Sequence, residues 1–232
     1  MPTIQDEEFG KISVRRSVKA TQLHLRVAPD GSLKISVPPH APMFLVKNMI
    51  KGSRNEIREI LSKAKPQYEY TNGMQVGKSH TLVIQVIDNM ASPSVTLHGL
   101  QIIVKAQSNE SLTNPSVARE IRDMIIKALR IEAKSYLPKR LSFLAEKHGF
   151  NFEKTRFSHS SSRWGSCSSN GTISLNIALM KLPFELIDYV IIHELSHTRQ
   201  MNHSPAFWAV VAESDPNYKM NRKFLKLQNP SI

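Results

Sequence analysis

Residues 186–197 read LIDYVIIHELSH, and this segment restricts the fold more than any other. The apolar run Val190-Ile191-Ile192 leads directly into His193-Glu194-Leu195-Ser196-His197. Burying a glutamate in an apolar segment is costly unless the carboxyl group has a purpose there. On an α-helix, residues four apart lie on one face, one turn up. His193 and His197 can then reach one ion. Glu194 sits at the neighbouring rotation, where it can touch a water polarised by that ion without being a ligand. The chemistry therefore requires a helix, predicted to open at Pro183 and to run to about residue 200.

A catalytic zinc centre takes three protein ligands and keeps one position open. His203, six residues after His197, is the candidate third ligand, and Glu213, on the next predicted helix, is the alternative. The expected cofactor is one Zn2+, with another divalent ion as the alternative. The same three-histidine spacing occurs in metzincins, which place a glycine between the last two histidines so that the chain can turn back. Here that position is Gln200. The turn is expected from Gln200 or from Asn202, a residue type that tolerates left-handed backbone. No Met-turn is evident, so metzincin membership is not assigned.

The rest of the chain divides by periodicity. Residues 11–17, 22–27 and 33–37 read as strands, the last two as a hairpin around Pro29-Asp30-Gly31-Ser32. Residues 42–63 read as one helix ended by Pro66. Two more strands follow at 79–87 and 95–104. The polar stretch 107–115 (QSNESLTNP) is taken as the domain junction. Residues 116–148 carry apolar side chains at helical spacing, with Pro138 as a point where the helix can kink or split and Gly149 as its stop. Residues 155–160, 162–166 and 172–176 read as strands, the last pair joined through Asn170-Gly171. Residues 172–176 are expected to form a sheet edge beside the cleft, where an extended peptide could pair. No internal repeat is evident. The predicted class is α+β: a β-rich N-terminal region with one helix over residues 1–110, then a metallohydrolase domain over 111–232.

Composition narrows the setting. The 232 residues, 41% apolar and 22% charged, suit a globular fold with a proper core. Cys167 is the single cysteine, so no intrachain disulfide can form, in keeping with a cytoplasmic location. No signal peptide or run of about 20 apolar residues is present, so no membrane contact is expected. The formal charge of +12 is spread over the chain, +5 in residues 1–110 and +7 in 111–232. Such a balance suits acidic partners, nucleic acid through a basic surface, or no more than a solvated surface.

Taken together, Arg163-Trp164-Gly165-Ser166-Cys167-Ser168, Gly171-Thr172-Ile173-Ser174-Leu175-Asn176, the 188–197 segment, Asn202-His203-Ser204-Pro205-Ala206-Phe207-Trp208 and Pro216-Asn217-Tyr218 resemble the YgjP-like metal-dependent hydrolases, related to SprT-like zinc proteases. The resemblance covers most of the chain and is weakest between Pro39 and Pro115. It implies a zincin-like C-terminal core, the three histidines as metal ligands and Glu194 as catalytic acid/base. It leaves the substrate open, since such proteins are commonly labelled peptidases and the family's namesake has also been described as a uridine-triphosphate pyrophosphatase.

Three functions follow as expectations. The first is a zinc-dependent metallopeptidase acting on peptides or proteins. The second is a nucleoside-triphosphate pyrophosphatase, favoured by the positive balance and disfavoured by the absence of a P-loop. The third is a DNA-associated protein, without a helix-turn-helix or zinc-finger pattern to support it. Candidate substrate-binding residues are Arg163, whose planar fork suits a carboxylate or phosphate, and His159 and Tyr218 as stabilisers of an oxyanion. Cys167 reads as an inert packed thiol, and Trp164, Phe207 and Trp208 read as core under the metal helix. Oligomeric state is not legible.

Overall fold

Short alternating apolar strands, most of them with one buried face, build much of the first half of the chain. The computed structural model describes residues 2–27, 33–63, 70–108, 112 and 114–232. The turn expected at 29–32 and the stop at Pro66 lie outside these. The chain forms two compact units, residues 1–70 with 113–115, and residues 71–112 with 116–232.

The first unit holds β1 (Thr3–Asp6), β2 (Gly10–Arg16), β3 (His24–Val27), β4 (Leu33–Val37), α1 (Met43–Gly52) and α2 (Arg54–Lys63). The sheet order is β1-β2-β4-β3, with β2 and β4 parallel and both outer pairs antiparallel. Ile12, Val14, Leu33, Ile35 and Val37 alternate onto one face and pack with Val46, Ile50 and Ile57 of the helices. The single helix expected over 42–63 is broken in two at Gly52-Ser53, both weak helix formers. The expected β3–β4 hairpin pairing is present, and β1 is an added strand that four residues were too short to announce.

The second unit opens with β5 (Gln75–Val76), β6 (His80–Val86), β7 (Ser94–His98) and β8 (Gln101–Ala106). The strand expected over 95–104 is a hairpin: Gly99 takes φ +56 and lets His98 pair with Gln101 across a two-residue turn. The order is β5-β6-β8-β7, again with a parallel centre and antiparallel outer pairs. The two units thus repeat one strand topology, although no repeat is evident in residue identities.

The division expected at 110/111 falls instead at 70/71, because the second sheet docks on α3 (Pro115–His148). Glu132 of α3, 7% exposed, accepts the backbone N–H groups of Lys78, Ser79 and His80 at 2.6–3.1 Å and meets His80 Nδ1 at 2.6 Å. Gly77, at φ +66, leaves the room that carboxylate fills. Pro138 does not split α3, which runs unbroken for 34 residues, and Gly149 (φ +66) ends it.

A three-stranded sheet follows: β9 (Lys154–Ser158), β10 (Gly165–Cys167) and β11 (Thr172–Asn176) in the order β10-β11-β9. The expected Asn170-Gly171 hairpin joins β10 and β11, with Gly171 at φ +72. β11 is not the sheet edge. It pairs antiparallel with β10 and parallel with β9, and four of its five residues are buried, as a central strand requires. A 3-10 helix (Ile177–Lys181), α4 (Phe184–Ser196), α5 (Pro205–Ser214) and α6 (Tyr218–Lys226) complete the unit. No helix among the described residues is long and apolar enough to cross a membrane.

Candidate metal centre

α4 is apolar almost all round, which sends it into the core. Leu186, Ile187, Tyr189, Val190, Ile191, Ile192 and Leu195 are all buried, each worth about 1.5–3 kcal/mol of transfer free energy. That anchoring delivers His193, Glu194 and His197 at the end of a rigid element. Ser196 Oγ donates to the Ile192 carbonyl at 2.8 Å and Thr198 Oγ1 to the Leu195 carbonyl at 2.7 Å as the helix closes.

The chain then returns through right-handed turns. Thr198 N–H donates to the Leu195 carbonyl, and the Arg199 and Gln200 N–H groups donate to Ser196. Neither Gln200 nor Asn202 adopts positive φ: Asn89 is the sole non-glycine residue that does so among the described residues. The left-handed turn expected there is therefore not used. Ser204, extended at φ −67 and ψ 170, caps α5 by accepting from the Phe207 N–H, and Pro205 occupies its first turn.

This route brings His203 onto the pair. One ring nitrogen from each of His193, His197 and His203 lies within 4.8 Å of the other two, and the Nε2 atoms of His193 and His203 are 3.1 Å apart. Nitrogens bound at about 2 Å to a tetrahedral ion stand roughly 3.3 Å from one another, so the cluster needs to tighten by at most about 1.5 Å at its widest. His197 Nδ1 meets the Gln200 carbonyl at 3.1 Å, which turns its Nε2 inward. Burial, then the neighbouring His197 and His203, push the His193 imidazolium down to about 3. Burial also lowers His197. Neutral imidazoles are the form that binds a cation. The donor set therefore fits zinc, and Glu213 is not part of the cluster. His193 Nδ1 is buried without a hydrogen-bond partner among the described residues.

Glu194 is 6% exposed, and burial lifts its carboxyl to about 8, against a lowering contribution from Arg163. β10 closes over it: a Cβ on Gly165 would stand 2.6 Å from Glu194 Oε1. Beneath the imidazoles lies Phe207, fully buried. It stacks on His197 at 4.5 Å and meets the edges of His193 and His203 at 4.9 and 4.8 Å. Trp208 stacks on His203 at 5.7 Å and on Tyr218 at 5.6 Å.

The other expected residues separate. Arg163 lies on the Glu194 side, its backbone carbonyl held by Asn176 Nδ2 at 2.9 Å. Tyr218 reaches the centre through Trp208. His159 faces elsewhere: its charged neighbours are Arg122, Asp123 and Arg130 of α3, so the structure does not bring it to the three histidines. Its distance in space was invisible in a list of histidines. Cys167 is half-buried, and burial with the nearby Glu194 raises its thiol, consistent with an inert group. Phe207, expected as core under the metal helix, is found there, and Gly165, Asn176 and Arg222 are the residues that sequence reasoning passed over. For these the available signal was only their place within the motif blocks, and Arg222 lacked even that. A cavity of about 690 Å3 borders His197, lined by Glu153, Lys154, Ser168, Thr172 and Met201 among others.

The geometry can now be set beside known proteins. The model of the family described as YgjP-like, metallopeptidase domain matches residues 21–228. The chain belongs to the YgjP-like metallopeptidase family. Two solved structures are similar to part of this YgjP-like chain. One is the metallopeptidase zymogen of Pyrococcus abyssi abylysin, with 27% identity, a TM-score of 0.36, and coverage of 41% of this chain and 98% of that one. The other is the metallopeptidase zymogen of Methanocaldococcus jannaschii jannalysin, with 19% identity, a TM-score of 0.33, and coverage of 39% and 96%. No curated protein matches significantly. Membership of the YgjP-like family points to a metal-dependent hydrolase of the peptidase kind.

Proposed function

We propose that this YgjP-like protein is a zinc-dependent peptidase in which His193, His197 and His203 hold the ion and Glu194 is the acid/base. The observation that carries this reading is the convergence of three imidazole nitrogens within 4.8 Å beside a buried carboxyl whose proton affinity lies near neutral pH. A bound divalent ion supplies Lewis acidity, polarising the scissile carbonyl and making water easier to deprotonate. Glu194, lifted to about 8, can accept the proton of the attacking water and return it to the leaving amine. Phe207 and the Gln200 carbonyl hold the rings in place, and Gly165 leaves space for the carboxylate. β10, an outer strand of its sheet beside Glu194, takes over the substrate-pairing role first expected of β11. Arg163 and Tyr218 flank the centre.

The test is a comparison of zinc-loaded protein with its Glu194→Gln variant on casein, an unstructured peptide library and the four nucleoside triphosphates. Peptide cleavage that disappears in the variant supports the reading. Pyrophosphate release with every peptide intact would overturn it.

A further inference from the structure

Guanidinium groups in the second unit mostly find something to do where they lie near the core. Arg140 grips Asp188 through two contacts at 2.7 and 2.5 Å. Arg199 donates to the carbonyls of His148 and Gly149. Arg222, beside the metal centre, is different. It is exposed, makes no ion pair or hydrogen bond among the described residues, and its guanidinium carbon lies 4.4 Å above the ring of Trp208.

That indole is the same one that stands 5.7 Å from His203 and 5.8 Å from His193, so a single aromatic ring separates the guanidinium from two of the three imidazoles. Its placement is built. Tyr218, four residues earlier on α6 and hence on the same face, stacks on the same indole at an interplanar angle of 17°. Between them, buried Asn221 ties α6 to Asp215 through an Nδ2 to Oδ2 bond of 2.9 Å.

A guanidinium lying on an aromatic face keeps its in-plane N–H donors free, and their fork matches a carboxylate. α6 (YKMNRKFLK) carries no acidic residue to occupy them and adds Lys219 and Lys223 to the local field. Near Glu194, Arg163 is a second exposed cation without an ion pair among the described residues. Substrate approaching the three histidines therefore meets the positive charge of Arg222 and Arg163.

We propose that Arg222, laid on Trp208 beside the three-histidine centre, binds a carboxylate of the peptide substrate and so selects acidic peptides. This rests on the peptidase reading above. The carboxylate comes either from an Asp or Glu side chain or from the peptide's own C-terminus.

The experiment uses zinc-loaded full-length protein and peptides carrying Glu, Gln or Lys at each position around the cleaved bond, each made with a free and an amidated C-terminus. A charge-assisted contact of this kind corresponds to a KM roughly tenfold lower for the acidic peptide than for its Gln counterpart. Arg222→Gln should erase that ratio, and Arg222→Glu should turn it toward Lys peptides, with zinc content unchanged in both. A ratio that follows amidation and not the Glu assigns the contact to the terminal carboxylate. A second readout needs no catalysis: tryptophan fluorescence of metal-free protein titrated with the Glu and Gln peptides should show the same preference, lost in Arg222→Gln. Equal KM values in the unaltered protein, or a ratio that survives Arg222→Gln, overturn the inference and leave the peptidase reading intact. If no peptide is cleaved, the peptidase reading fails, and equal binding of the two peptides then overturns the inference as well.

Discussion

Gly165 is the position at which one added methyl group tests the whole arrangement. A Cβ there would lie 2.6 Å from Glu194 Oε1, 2.7 Å from its Cγ and 2.9 Å from its Cδ. Carbon atoms settle at about 3.5–4.0 Å from their non-bonded neighbours, so the glutamate must withdraw by roughly 1 Å or β10 must lift by as much. β10 is held by its pairing with β11 and by the Asn176 N–H donating to the Trp164 carbonyl at 2.9 Å. Glu194, 6% exposed, has little room behind it. A misplacement of about 1 Å in a reacting group costs on the order of a hundredfold in rate, or about 2.7 kcal/mol of barrier. Gly165→Ala should therefore lower kcat/KM for a peptide substrate by roughly that factor, while the three imidazoles keep their zinc. The assay pairs peptide turnover with zinc content and thermal melting. Gly52→Ala, on α1 with nothing within 4 Å of the added carbon, serves as the control. A Gly165→Ala protein with normal turnover and normal zinc would refute the idea that β10 seats the carboxylate.

Three other outcomes follow from the same structure. Glu132→Ala removes the acceptor of three backbone N–H groups and the partner of His80, and should cost about 3–5 kcal/mol in urea unfolding. A midpoint within experimental error of the unaltered protein would show that the second sheet does not depend on α3. His203→Ala should lose stoichiometric zinc and Glu213→Ala should keep it, read by metal analysis after dialysis, and the reverse result would reassign the third ligand. For metal-free protein, the depressed His193 (6.5 to about 3) contributes stability that is lost as pH falls below 6.5. The raised Glu194 (4.5 to about 8) contributes stability that is lost as pH climbs above 4.5 through 8. These trends oppose one another between 4.5 and 6.5, so stability should peak there and decline on the alkaline side by at most about 1.4 kcal/mol per pH unit from Glu194. Glu194→Gln should flatten that alkaline decline, and an unchanged slope would show that the carboxyl is not desolvated as described.

Much of the local structure was legible because it depends on short-range patterns. The apolar run before His193 required a buried helix, and Asn170-Gly171 required a tight hairpin. Breaks that rest on a single weak residue were not legible. Gly99 turned one expected strand into a hairpin, and Gly52-Ser53 divided one expected helix. The strand topology shared by the two units escaped notice because pairing order preserves alternation and burial but not residue identity.

The sequence by itself determined the chemistry on offer: three histidines and a glutamate whose spacing makes sense only on a helix and the turn that follows it. Tertiary structure alone decided which residues serve that chemistry. Gly165 makes room for Glu194, Arg222 rests on Trp208, and His159 is drawn away to α3. Helical spacing is a relation between near neighbours in the chain and can be read along it. Contacts between distant segments depend on how the sheets and helices pack, and no local pattern encodes them.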